Sequence, residues 1–230
     1  MTAISPLVAD PNFELAFRWL SPEPERPRKL LVLLHGVGGN ETNLAALGAG
    51  IGTETLVVLP RAGIELGSNA FAWFRVTFLK DGPSIVANEA EASRRTLIRF
   101  IGQLQRAYGI EASRTIIGGF SQGGILSASV ALSSPETVAG FAVLAGRVLP
   151  ELEPQIVERE RLLALRGYIA HGRDDDKLPV DWAHRADDWL TRLGVEHEMR
   201  LYSAGHFLNE KMQTDFRNWL TNWSAPWNRA

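Results

Sequence analysis

The chain has 230 residues, of which 45% are hydrophobic and 22% charged, and it carries no cysteine. A net charge of −2 with scattered basic residues gathers no nucleic acid, and the missing cysteines exclude a disulfide scaffold, a thiolate nucleophile and a Cys-bound zinc site. No run approaches the ~18 continuous apolar residues of a membrane span. Residues 1–10 lack the basic start and apolar core of a signal peptide, so the expectation is one cytoplasmic domain over residues 1–230.

In chain order, residues 13–20 read as a strand closed by the proline-rich turn at 21–27, where each Pro fixes φ and removes a donor. Leu30-Leu31-Val32-Leu33-Leu34 is a continuous apolar run that stops at His35-Gly36, the signature of a strand buried on both faces. The pattern recurs at 56–59, ending at Pro60, and at 115–117, ending at Gly118-Gly119. It returns at 141–144 before Ala145-Gly146, at 167–170 before His171-Gly172, and at 198–202 before Ser203-Ala204-Gly205. Helices are predicted between and after these strands, at 89–108, 124–132, 180–193 and 212–223. The first has Ala92, Leu97, Ile101, Leu104 and Tyr108 near a 3.6 period and Gly109 as its stop. Strands alternating with helices predict a mostly parallel α/β sheet, with ligands bound beyond the carboxyl ends of the strands.

The polar clusters follow those strands directly. Gly119-Phe120-Ser121-Gln122-Gly123 lies between a strand and a helix, the setting of a nucleophile elbow, whose glycines make room for a strained serine. A serine hydroxyl needs a base to take its proton, and the base needs a carboxylate to hold its tautomer. Among the downstream histidines, His184 falls inside a helix and His197 at the start of a strand. His206 follows the last strand on a loop, and is the expected base; His171 opens an acidic turn that it helps to shape. That turn, Asp174-Asp175-Asp176, offers three adjacent carboxylates, and composition does not choose among them. The spaced ligands of a calcium loop are absent. His35-Gly36-Val37-Gly38-Gly39-Asn40 follows the most apolar strand and predicts a loop donating a backbone N–H to an oxyanion. The expected pair of donors is Val37 and Gln122, with Gly38 as the alternative to Val37.

With these pieces in order, the chain resembles the phospholipase/carboxylesterase family of α/β-hydrolases. The resemblance rests on Leu34-His35-Gly36-Val37-Gly38-Gly39-Asn40, Pro60-Arg61-Ala62, Ala72-Trp73-Phe74, Gly119-Phe120-Ser121-Gln122-Gly123-Gly124, residues 171–179 and Gly205-His206. It selects Asp175, the fourth residue after His171, as the acid, although Asp176 stands where the family usually has Pro. It implies an eight-stranded sheet with an antiparallel second strand, no metal or organic cofactor, and often a homodimer. It also implies hydrolysis of carboxylic esters, thioesters or lysophospholipids.

Residues 61–88 carry few regular signals. Their aromatics read either as core or as the wall of an acyl pocket, with Trp73 the expected substrate contact. Phe207 is a second expected substrate contact. Residues 151–165 are too short and charged for a cap domain, which predicts an open site for small or flexible esters of short to medium acyl length.

Overall fold

The computed structural model describes residues 3–79 and 82–222. Its main sheet is built from β1 (Phe17–Trp19), β2 (Lys29–Leu34), β3 (Thr55–Pro60), β4 (Thr115–Phe120), β5 (Gly140–Leu144), β6 (Arg166–Gly172) and β7 (Glu196–Tyr202). The spatial order is β1-β3-β2-β4-β5-β6-β7, with β1 antiparallel to β3 and every other pair parallel. This is an α/β-hydrolase sheet.

Among the described residues the sheet has seven strands where eight were expected. The place of the eighth is held by the segment before β1, reduced to two antiparallel bridges, Ile4 with Leu20 and Val8 with Phe17. Pro6 lies between them and has no N–H to give a ladder. The Trp19 amide donates to the Ser5 hydroxyl and Arg18 takes the Ser5 carbonyl, so the ladder breaks there.

Alternate residues of the central strands divide the core into two layers. Leu30, Val32 and Leu34 of β2 face α1 (Ala87–Tyr108), α2 (Gln122–Ser133) and α3 (Asp181–Leu193). Leu31 and Leu33 face the opposite layer, with Met212, Phe216 and Trp219 of α4 (Glu210–Asn222). Each fully buried Leu stabilises the fold by about 1.5–3 kcal/mol, so β2 is among the best anchored parts of the chain. Predicted helix ends hold where a signal existed: Gly109 and Gly194 take left-handed φ of 65° and 73° after α1 and α3. Trp223, which closed the last predicted helix, lies outside the described residues.

The stretch at 61–88 is more regular than the sequence suggested. It forms two hairpins, Ile64–Gly67 with Ala70–Ala72 and Val76–Leu79 with Gly82–Ile85. No helix among the described residues is long and apolar enough to cross a membrane.

Candidate active site

Ser121 sits between β4 and α2 with φ 54° and ψ −117°, a conformation that a residue with a Cβ rarely adopts. Two glycines make the turn possible. A Cβ on Gly119 would lie 2.4 Å from the Gly123 carbonyl carbon, and one on Gly123 would lie 2.0 Å from the Leu34 oxygen. The Ser121 amide donates to the Leu144 carbonyl at 2.8 Å, which ties the elbow to β5. α2 is buried along nearly its whole length and holds the turn from behind.

Loops at the carboxyl ends of β6 and β7 bring two side chains to this serine. His206 Nε2 lies 3.0 Å from Ser121 Oγ, and His206 Nδ1 lies 2.7 Å from Asp175 Oδ2. An ionised carboxylate only accepts, so Nδ1 carries the proton and Nε2 presents a lone pair to the hydroxyl. Asp175 is buried, whereas Asp174 and Asp176 are exposed. Its Oδ1 accepts from the Lys177 and Leu178 amides at 2.9 and 2.8 Å, and His171 Nε2 stands 3.4 Å from its Oδ2. Burial alone would raise the Asp175 carboxyl. Hydrogen bonds from His171, His206 and the Leu178 amide outweigh it and hold the group well below the usual carboxylate range. His171 is itself fully buried, with Nε2 2.7 Å from the Leu178 carbonyl. The other two histidines downstream of Ser121 stay away: His184 is exposed on α3, and His197 pairs with Asp187 at 3.0 Å.

The loop after β2 faces the elbow from the other side. The Gly38 amide donates to the Phe71 carbonyl at 2.9 Å, so it is already engaged. Among the described residues neither the Val37 nor the Gln122 amide has an acceptor within the protein. The Gln122 side chain is a brace that sequence reasoning missed. Its Oε1 accepts from the Trp73 amide at 3.1 Å and its Nε2 donates to the Phe74 carbonyl at 2.6 Å. Trp73 Nε1 in turn donates to the His35 carbonyl at 2.9 Å. Beneath this loop, Glu41 receives Arg18 and Arg61 at 2.9 and 2.8 Å. Burial would raise the Glu41 carboxyl, but the two guanidinium groups bring it down to about 2. An activated hydroxyl facing two free amides can attack a carbonyl and hold the resulting oxyanion.

The family model described as phospholipase/carboxylesterase matches residues 20–224. The chain belongs to the phospholipase/carboxylesterase family. Acyl-protein thioesterase 1 of Emericella nidulans is 24% identical over 196 residues, covering 77% of this chain and 82% of that protein. Carboxylesterase SOBER1 of Arabidopsis thaliana is 28% identical over 154 residues, 65% of this chain and 66% of that one. The solved carboxylesterase of Mesorhizobium loti shares the fold, with a TM-score of 0.80 at 24% identity over 95% of this chain and 99% of that one.

In this member of the phospholipase/carboxylesterase family, two recesses flank Ser121 and His206. One, of about 330 Å³, is lined by Val37, Leu44, Leu47, Phe120, Phe207 and Leu208 among others and is mostly apolar. The other is a crevice between Ser121, Gln122, Val37, Phe74, Leu178 and Arg147. Trp73 lines neither: it is 1% exposed, and its indole is spent bracing the loop after β2. The aromatic that reaches the crevice is its neighbour, Phe74. Phe207 is 55% exposed at the mouth of the larger recess. Among the described residues no group of three or more His, Asp or Glu side chains is arranged to hold a metal ion.

Proposed function

We propose that the chain is a serine carboxylesterase that hydrolyses small carboxylic esters, of short to medium acyl length, through an acyl-enzyme on Ser121. The observation that carries this reading is the chain of contacts from Ser121 Oγ through His206 to Asp175, at 3.0 and 2.7 Å, opposite the unengaged Val37 and Gln122 amides. His206 Nε2 takes the hydroxyl proton as Ser121 Oγ attacks the ester carbon. Asp175 holds the imidazole and stabilises its positive form. The tetrahedral oxyanion accepts hydrogen bonds from the Val37 and Gln122 amides, each worth roughly 3–4 kcal/mol in the transition state. His206 then gives its proton to the leaving alcohol. A water molecule, deprotonated by the same nitrogen, attacks the acyl carbon and frees Ser121.

The apolar 330 Å³ recess beside His206 suits a flexible chain of modest length. A second reading, hydrolysis of acyl thioesters, is favoured by the thioesterase named among the relatives. The same groups would serve it, with a thiolate as leaving group. Ser121→Ala separates catalysis from binding. Ester turnover should fall by about 10⁴-fold or more, and the wild type should label at Ser121 with a fluorophosphonate. A variant that keeps the wild-type rate overturns the assignment. A panel of matched esters and thioesters of increasing chain length then decides between the two readings.

A further inference from the structure

One buried charge beside the nucleophile lacks a complete set of partners. After β5 the chain turns through Ala145, whose φ of 50° lies in the left-handed region although the residue has a Cβ. Gly146 follows, pressed on the elbow: a Cβ there would lie 3.0 Å from the Ser121 carbonyl oxygen and 2.9 Å from Val143 Cγ1. This strained turn brings Arg147 into the wall of the crevice that holds Ser121, Gln122 and Val37. Strain of this kind persists where the surroundings fix it, and it clusters at ligand sites.

Arg147 is 4% exposed, and its guanidinium carbon stands 4.4 Å from the centre of the Trp182 ring. Its Nε is buried without a hydrogen-bond partner among the described residues. Burial works against its charge, and the field of Glu151 acts in the opposite sense. Arg94, also buried, is engaged quite differently: its three nitrogens reach Glu91 and Ser133 at 2.7 Å. A buried guanidinium with an idle donor is costly in the empty site, and that cost is relieved when an anion arrives. The planar donor fork matches the two oxygens of a carboxylate, and the contact with the Trp182 ring holds the guanidinium in place.

We infer that Arg147 binds a carboxylate carried by the substrate, so that the preferred esters bear a second, ionised carboxyl group close to the scissile bond. This rests on the esterase reading above. The acid belongs to the acyl half, as in a monoester of a dicarboxylic acid, or to the alcohol half, as in an ester of a hydroxy acid.

The test compares kcat/KM for monoethyl glutarate with that for ethyl butyrate, and for 3-acetoxypropionate with that for propyl acetate. The wild type should favour the anionic member of one pair by about ten- to a hundredfold, the range for a charge-assisted hydrogen bond. The favoured pair identifies the half that carries the acid. Arg147→Met should bring that ratio to one or below, while Arg147→Lys keeps part of it. A measurement on the wild type guards against misfolded variants: glutarate should slow fluorophosphonate labelling of Ser121, and the uncharged glutaramide should not. Ratios of one or less in both pairs, a preference that survives Arg147→Met, or equal protection by the two additives would overturn the inference. If neutral esters are still hydrolysed in that case, the esterase reading stands without it. If no ester turns over and Ser121 never labels, the esterase reading itself falls.

Discussion

Replacing Gly123 by Ala adds one methyl group, and the structure says where it goes. The new Cβ would stand 2.0 Å from the Leu34 oxygen, 2.6 Å from its carbonyl carbon and 2.7 Å from its Cβ. Relief to an ordinary contact needs a movement of more than about 1 Å. β2 is poorly placed to supply it, because it is paired to β3 on one side and β4 on the other and its apolar residues are buried in both core layers. The elbow must therefore move, carrying Ser121 Oγ away from His206 Nε2 and the Gln122 amide away from the oxyanion of the proposed cycle. Misplacement by about 1 Å costs on the order of 10²-fold in rate. Overpacking of this kind costs roughly 1–3 kcal/mol of stability, a fall of about 3–10 °C in Tm for a chain of this length. Steady-state ester hydrolysis and thermal unfolding measured on one preparation read both effects. Gly50→Ala is the control: its φ is 77°, nothing lies within 4 Å of the added Cβ, and it sits in the turn before β3. It should cost about 1 kcal/mol of stability with wild-type kinetics. A Gly123→Ala enzyme within threefold of wild type in kcat/KM would refute the steric account of the elbow.

Asp175→Asn should lower kcat by about 10³–10⁴-fold, because an amide no longer favours the Nδ1-protonated imidazole; Asp174→Asn and Asp176→Asn, both at exposed positions, should stay within a few-fold when assayed beside it. The Glu41 carboxyl, lowered from 4.5 to about 2 in the folded chain, contributes roughly 3 kcal/mol of stability that is complete above pH 4.5 and lost as the pH falls toward 2. Denaturant unfolding of Glu41→Gln should therefore show lower stability at neutral pH and a flatter decline between pH 4.5 and 2; an unchanged acid slope would count against the ion-pair account. Trp73→Phe keeps the ring but strips the donor from the His35 carbonyl, at a cost of about 1–3 kcal/mol. The same variant separates bracing from substrate contact, since a bracing role predicts similar losses in kcat/KM for short and long esters, and a contact role predicts losses that grow with chain length.

Much of the frame was legible because its signals are local. Runs such as 30–34 show a strand buried on both faces, and Gly109 and Gly194 mark helix ends through their freedom at positive φ. The elbow was legible because its glycines stand together in one short string between a strand and a helix, although the contact that demands Gly123, with the Leu34 oxygen, comes from a distant strand. What escaped depends on contacts far apart in sequence. Residues 61–88 looked irregular because their hairpin strands are only three or four residues long, and because their first hairpin is held to the loop after β2 by the Gly38 and Phe71 amides. Trp73 carries no mark that separates a pocket wall from a brace; that depends on the His35 carbonyl, 38 positions away. The expected eighth strand is reduced to two bridges because Pro6 and the side chains of Ser5 and Arg18 interrupt the ladder of a segment otherwise placed to pair. Arg147 had no signal in the sequence, because an arginine after a strand reads as a solvated charge until its burial is known.

The loop after β7 carries two duties at once. His206 stands against Ser121, while the adjoining Phe207 and Leu208 help to form the larger recess. In the proposed cycle, a bulky acyl group pressing on that wall also presses on the segment that aims the imidazole. Chain-length preference and proton transfer are thus geared to the same three residues. Attempts to widen the recess by trimming Phe207 or Leu208 would retune the rate along with the substrate range. Changes at Leu44 or Leu47, which line the same recess from outside that loop, offer a way to alter one without the other.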